Sequence, residues 1–337
     1  MDTVTHIVLG ACIGEAIGGR RIGKKALLLG AIGQSLPDID FVNGIWLDTC
    51  DDLLAHRGYT HSLMFVLLVT PFLALLSRYI WKRRDMSYKL WLFFWGAEVF
   101  VHIFLDAFNA YGTGWFEPFS QYRVSFNTMF VADPLFSIWL AIAAVALMVI
   151  KHDSQRRKHW VIGSIALCTT YLIIGILFKL HIDNKLEKQF DSKHLGVKRY
   201  FTTPTFFNNI LWYAVAETDS GYYTGYRSVF DKEDTVPLRY VSRNAQLLSL
   251  SDNEKDKATL LRFSQGYYTA ELWHDTLVFN VLRFGEINGW MEPKPRFAFY
   301  YYLQYPKEND LIVQRGRFAN WDADVLRRFL DRMGGTY

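Results

Sequence analysis

The chain has 337 residues, 51% of them hydrophobic and 17% aromatic, and a formal net charge of +4. Its mean hydropathy is only +0.04, the value expected when an apolar half and a polar half are averaged. Three cysteines (Cys12, Cys50, Cys168) exclude a disulfide framework and a CxxC zinc motif, and so small a charge calls for no nucleic-acid partner.

Residues 4–19 form an apolar, small-residue helix candidate with Asp2 or Thr3 as its cap. No basic segment precedes it, so no cleaved signal peptide is expected. A basic turn at 20–25 leads to a second apolar piece, 26–36, stopped by Pro37. Both pieces are short for a membrane span and predict a helical hairpin buried among other helices. A polar connection follows at 41–60. Residues 62–81, 88–108, 134–150 and 160–180 are the predicted spans. Beyond residue 182 no apolar run is long enough to cross. The runs 198–203, 210–217, 222–230 and 297–305 are rich in β-branched and aromatic residues and predict strands. Residues 218–221 predict a hairpin turn, and 322–333 a closing amphipathic helix. The expected fold is a multi-pass α-helical membrane domain, residues 1–181, followed by a soluble α+β domain, residues 182–337.

The basic loops at 20–25, 82–89 and 151–158 alternate along the chain, and positive loops stay in the cytoplasm. This orientation puts His6, Asp38, Asp40, His56, His61, Asp106 and Asp133 near the opposite ends of the helices. It also makes the C-terminal domain extracytoplasmic.

Those residues carry metal-ligand chemistry. His56 and His61 flank Arg57-Gly58-Tyr59-Thr60, with Gly58 expected to fold the backbone tightly and Thr60 to cap the next helix. His102 and Asp106 are four apart on a helix and share a face, with Glu98 and Asn109 close to the same face. Ionisable groups in a span are costly and usually face the bundle interior. A hydrogen-bonded cluster without metal is the alternative reading of that helix. Asp38 and Asp40 follow Pro37, and at i and i+2 they need not point the same way. One of them can ligate while the other orients. His6 opens the first helix. Asp133 before Pro134 is either a further ligand or an ordinary N-cap. The expected ligands are His6, Asp40, His56, His61, His102, Asp106 and Asp133. Asp38, Arg57 and Asn109 are expected in catalytic roles, with Arg57 able to hold a phosphate oxygen. Thiolate-free, imidazole-rich ligation favours zinc, manganese or iron, and the number of groups fits two metals sharing a carboxylate.

The motifs Asp2-x-x-x-His6, Pro37-Asp38-x-Asp40, His56-Arg57-Gly58-x-Thr60-His61-Ser62 and His102-x-x-x-Asp106-x-x-Asn109-x-Tyr111-Gly112 resemble, in this order, the LexA-regulated, inner-membrane-associated metal-dependent hydrolases of bacteria. The resemblance covers about residues 1–150. It implies a bacterial inner-membrane hydrolase with its metal ligands in those motifs, and it supplies no substrate. A site at the membrane surface suits an ester or phosphoester of an amphiphilic, lipid-like molecule. The alternative is a non-catalytic metal-binding membrane scaffold or a transport protein. The oligomeric state is left open by the sequence.

Overall fold

The computed structural model describes residues 1–81, 86–304 and 321–336. The basic residues Lys82, Arg83 and Arg84 and the end of the expected strand 297–305 lie outside the described residues. The chain divides into two units. One holds Met1–Asn43 and Ala55–Gly175; the other holds Gly44–Leu54 and Ile176–Tyr337. The short stretch 44–54 therefore groups with the C-terminal half, where sequence alone put it with the helices. Its ties are specific: Cys50 Sγ donates to the Asp256 carbonyl, and Asp51 pairs with Lys255 at 2.6 Å.

The first unit is helical. Helix α1 (Thr3–Ile22) and helix α2 (Lys25–Ser35) form the expected hairpin. Asp2 caps α1 through the Thr5 amide. The two helices touch backbone to backbone, because a Cβ on Gly10 or on Gly30 would overlap the other's carbonyl oxygen. Small residues at such a crossing are how helices in lipid approach closely. The same antiparallel register sets His6 of α1 opposite Gln34 of α2.

After α2, a 3₁₀ segment (Pro37–Ile45) and a short helix α3 (Thr49–Ala55) give structure to the polar connection expected at 41–60. Helix α4 (Leu63–Ile80) and helix α5 (Tyr88–Asp106) follow, then α6 (Pro134–Val149) and α7 (Arg156–Ser192). Three of these, α4, α5 and α7, are long and apolar enough to cross a membrane; α6 is shorter. Glu15 of α1 is buried and takes a two-pronged ion pair from Arg157, at 2.7 and 2.6 Å. Arg157 also donates to the Leu147 and Ile150 carbonyls, so one guanidinium satisfies the end of α6 as well. The cysteines are free and buried, as core packing predicts for Cys12 and Cys168.

The second unit begins within α7, which runs on past the expected end at 180. Four antiparallel strands, β1 (Arg199–Pro204), β2 (Leu211–Glu217), β3 (Gly221–Ser228) and β4 (Leu238–Ser242), form one sheet in chain order. Alternation along β2 builds two cores. Trp212, Ala214 and Ala216 meet Ile182, Leu186 and Phe190 of α7. Leu211, Tyr213 and Val215 meet Tyr222, Leu282 and Phe329 on the other face. A second antiparallel sheet contains β5 (Tyr268–Trp273), β6 (Thr276–Val281) and β7 (Tyr300–Tyr302). Helix α8 (Glu254–Phe263) precedes it, and α9 (Ala323–Met333) follows it. Strands β4, β5 and β6 and helix α8 were not read from sequence; the strands at 199–204, 211–217 and 221–228 and the final helix were.

Candidate metal centre

The site is built from the ends of four elements of the first unit. The His56–Ser62 turn sits just before α4, where Ser62, not Thr60, caps the helix through the Phe65 amide at 3.0 Å. Gly58 itself takes a backbone conformation that few other residues adopt, φ −88° and ψ −117°, and it is not alone. Arg57 takes the left-handed conformation, φ +62°, which is uncommon for a residue with a side chain. Asp40 holds it there, accepting the Arg57 amide at 2.8 Å. Thr60 donates its hydroxyl to the same Asp40 oxygen at 2.9 Å.

Four groups converge: Asp38, His61, His102 and Asp106 each offer a ligand atom, all within 4.8 Å of one another. His61 Nε2 is 3.2 Å from His102 Nε2, 3.5 Å from Asp38 and 3.4 Å from Asp106. His102 Nε2 is 3.4 Å from Asp38. Both rings have their other nitrogen committed. His102 Nδ1 faces the Gln34 carbonyl, which only accepts, so Nδ1 carries the proton. His61 Nδ1 faces Asp40 at 3.3 Å and the Thr60 hydroxyl, which has already donated its hydrogen to Asp40. The tautomer with the proton on Nδ1 is therefore set in both rings, and both Nε2 lone pairs point at each other and at two carboxylates. Two imidazole lone pairs and two carboxylates turned toward one point repel one another, and the Arg57 guanidinium, 3.0 Å from Asp106, offsets part of that charge. Holding an imidazole by its far nitrogen is also how metal-ligating histidines are oriented.

His6 stands beside this group. Its ring stacks on His102 with centroids 3.7 Å apart. Its Nδ1 is 3.2 Å from Gln34 Oε1, and its Nε2 is 3.1 Å from Asp106 Oδ1. Asp106 thus turns one oxygen to His6 and the other to the group of four. Gln34 was not read from sequence, nor was Met1, whose carbonyl accepts from Arg57 at 3.2 Å. Gln34 carries no ligand signature of its own, because its role follows from the α1–α2 register.

The two aspartates after Pro37 exchange the roles expected of them. In a 3₁₀ segment of three residues per turn, positions i and i+2 face different ways. Asp38 joins the group of four, whereas Asp40 holds His56, His61, Thr60 and the Arg57 amide from outside it. Burial alone would raise both carboxyl pKa values. The imidazoles packed against them, His102 and His61 beside Asp38 and His56 and His61 beside Asp40, hold both well below the usual range. His56 is 39% exposed, its Nδ1 on Asp40 at 3.0 Å, and lies outside the group of four.

Arg57 is buried and turned inward. It reaches Asp106 at 3.0 Å, and it donates to Asn109 Oδ1 at 2.8 Å. The guanidinium expected to hold a substrate phosphate instead braces a site carboxylate, and Asn109 braces Arg57. Asp133 is elsewhere. Its oxygens accept from the Leu135 amide at 3.0 Å and from the Tyr171 hydroxyl at 2.7 Å, so it serves as the N-cap of α6. The ligand role expected for it has no counterpart in this geometry.

Apolar helices long enough for a bilayer, carrying buried imidazoles and carboxylates at their ends, define a membrane protein with a candidate metal centre. The model of the YdjM inner membrane protein family matches residues 1–182, and the chain belongs to that family. YfhP of Bacillus subtilis is 25% identical over 286 residues, spanning 79% of this chain and 81% of that protein. The inner membrane protein YbcI of Escherichia coli is 32% identical over 122 residues, 36% of this chain and 69% of that protein. No solved structure matches. The resemblance drawn from the motifs thus extends to a family of inner membrane proteins, whose description carries no activity and no mode of regulation.

Proposed function

We propose that the protein is a membrane-bound metal-dependent hydrolase acting on an ester or phosphoester of an amphiphilic substrate. The observation that carries this reading is the convergence of His61, His102, Asp38 and Asp106 with both imidazole Nε2 lone pairs turned inward. The donor set, two imidazoles and two carboxylates without thiolate, suits zinc, manganese or iron. A divalent ion there would lower the pKa of a water and polarise the scissile group. His6 and the second oxygen of Asp106 would offer a place for a second ion, with Asp106 shared between the two, if the Met1 amino group now paired with that oxygen gave way. Asp40 and Gln34 fix the ring tautomers, and Arg57 keeps Asp106 aimed. His56, half-exposed beside the group, is the imidazole best placed to exchange a proton with substrate or solvent.

Elemental analysis of the detergent-purified protein beside His61→Ala is the test. Bound zinc, manganese or iron that disappears in a folded variant supports the reading and justifies assays on lipid phosphoesters. A folded wild-type protein that takes up no such metal on reconstitution overturns it. The outward orientation of the C-terminal domain is part of the same proposal. A reporter at Leu250→Cys should label from outside intact cells, and labelling only after lysis would reverse the topology.

The alternative, a metal scaffold or transporter, draws on Glu98, which is fully buried in α5 one turn deeper than His102. A path through the bundle needs further free acids, yet Glu15 is already paired with Arg157. Metal flux into proteoliposomes distinguishes transport from hydrolysis.

A further inference from the structure

The segment after α5 folds into a small hairpin that the metal chemistry does not use. Thr113 and Val124 close it with two backbone hydrogen bonds of 2.9 Å. Its base is bolted to the His56–Arg57 turn. The Gly114 amide donates to the Arg57 carbonyl at 2.8 Å, and buried Arg123 donates to the His56 carbonyl at 2.8 Å. Its tip presents Phe116 (45% exposed), Phe119 (85%) and Tyr122 (66%). The charged residues between Gly112 and Phe126 are Glu117 and Arg123, and both are buried. The exposed surface of the hairpin is therefore aromatic and uncharged.

A soluble surface does not usually concentrate large apolar side chains in this way. Here the patch continues the exposed apolar side of α5, a helix long and apolar enough to cross a membrane. Phe100 and Phe104 lie on the outer side of α5, and their rings stack with centroids 5.9 Å apart. Phe104 in turn stacks on Trp115 of the hairpin, with centroids 6.2 Å apart. Trp115 donates its indole N–H to the Ile103 carbonyl, and its own carbonyl accepts from the first amide of α4. A ladder of rings thus runs from the middle of a candidate span onto the hairpin, at the level where α4 starts and α5 ends. Aromatic side chains favour that level, where an apolar ring and a polar edge are both accommodated.

We propose that the 113–124 hairpin is a membrane-docking finger, with Phe116, Phe119 and Tyr122 seated at the boundary between lipid headgroups and acyl chains. Its occupant is the bilayer itself. Because the hairpin is bolted to the His56–Arg57 turn, docking sets the depth of the candidate metal centre, with half-exposed His56 held near the headgroups. The proposal does not depend on the hydrolase reading, since hairpin depth can be measured with or without metal.

The test uses the full chain in phosphatidylcholine–phosphatidylglycerol nanodiscs, with an environment-sensitive fluorophore on Phe119→Cys. The native cysteines are buried. A label on Asp219→Cys, at the exposed β2–β3 turn of the second unit, is the aqueous reference. The Phe119 label is expected to emit at shorter wavelength than the reference. It should lose most of its emission to lipids carrying a nitroxide near the carbonyl, and little to soluble iodide. Emission and iodide quenching like the reference would overturn the proposal. So would shielding from both quenchers, which would mean that protein covers the finger, either a second copy or another part of this chain. Phe116→Cys and Tyr122→Cys, labelled in the same way, answer the question if Phe119→Cys does not fold.

Discussion

His61 and His102 face each other through Nε2 atoms 3.2 Å apart, while each ring's Nδ1 is occupied by an acceptor. Neither ring can turn its proton toward the other without giving up Asp40 and Thr60 or the Gln34 carbonyl. The pair thus turns two lone pairs toward one point, the arrangement a bound cation would need.

The division between groups that ligate and groups that orient can be measured. His61→Ala and Asp38→Ala each remove a member of the group of four, and each should abolish tight metal binding. Asp40→Asn leaves that group intact and disturbs the tautomer of His61, so it should weaken affinity by about 10–100-fold. Competition with a fluorescent chelator gives both numbers. Equal losses in Asp38→Ala and Asp40→Asn would erase the distinction.

Asp133 should behave as a cap. Asp133→Ala removes the acceptor for the Leu135 amide and the Tyr171 hydroxyl, a loss of about 1–2 kcal/mol. The variant should show a lower Tm in detergent and an unchanged metal content. Metal loss without thermal destabilisation would restore the ligand role first expected of it.

Gly30→Ala places a methyl group on the Gly10 carbonyl, 2.0 Å from its oxygen, and the hairpin must open by about an ångström. Overpacking of this kind costs about 1–3 kcal/mol. It should also weaken metal binding, because the His6–Gln34 contact depends on the same register. Gly163→Ala in α7, whose Cβ meets nothing within 4 Å, is the control and should be neutral or slightly stabilising. Parallel thermal melts and metal titrations read both effects.

The second unit carries its own pH signature. Burial pushes the Glu286 carboxyl up to about 7 from an ordinary value of 4.5, against the pull of the Arg239 guanidinium. Between those values the folded chain holds a proton that the unfolded chain has shed. Its contribution to stability is therefore fully present below pH 4.5, falls as pH rises toward 7, and stays lost above it. Glu286→Gln should flatten that part of the profile. Denaturant melts of both proteins across this range, followed by tryptophan fluorescence of the second unit, test the prediction.

The sequence made the helices legible because apolar length and capping residues are local signals. The histidines were legible for the same reason, each standing in a short motif beside an apolar run. Gln34 was not, since its importance lies in a carbonyl and an amide placed by the Gly10–Gly30 crossing, which is a tertiary fact. The exchange between Asp38 and Asp40 was hidden in the choice of a 3₁₀ segment over an extended turn. Arg57 has the residue type of a phosphate binder, and only packing shows its guanidinium spent on Asp106 and Asn109. In the second unit, β4, with its exposed and half-buried Arg239 and Ser242, lacks the apolar density by which β1 to β3 were found. Helix α8 is short and begins in a charged stretch, so its buried face at Leu260 and Phe263 has little periodicity to announce it.

Gln34 holds His102 with its backbone and His6 with its side chain. One residue on α2 thus governs rings on two other helices. Neither imidazole acquires its final partners until α1, α2 and α5 have met. A chain delivered to the membrane segment by segment consequently carries only scattered, weak donors during its insertion. The full set of facing donors comes together only when those helices and the turns that carry Asp38 and His61 have closed, and it would scatter again if they parted.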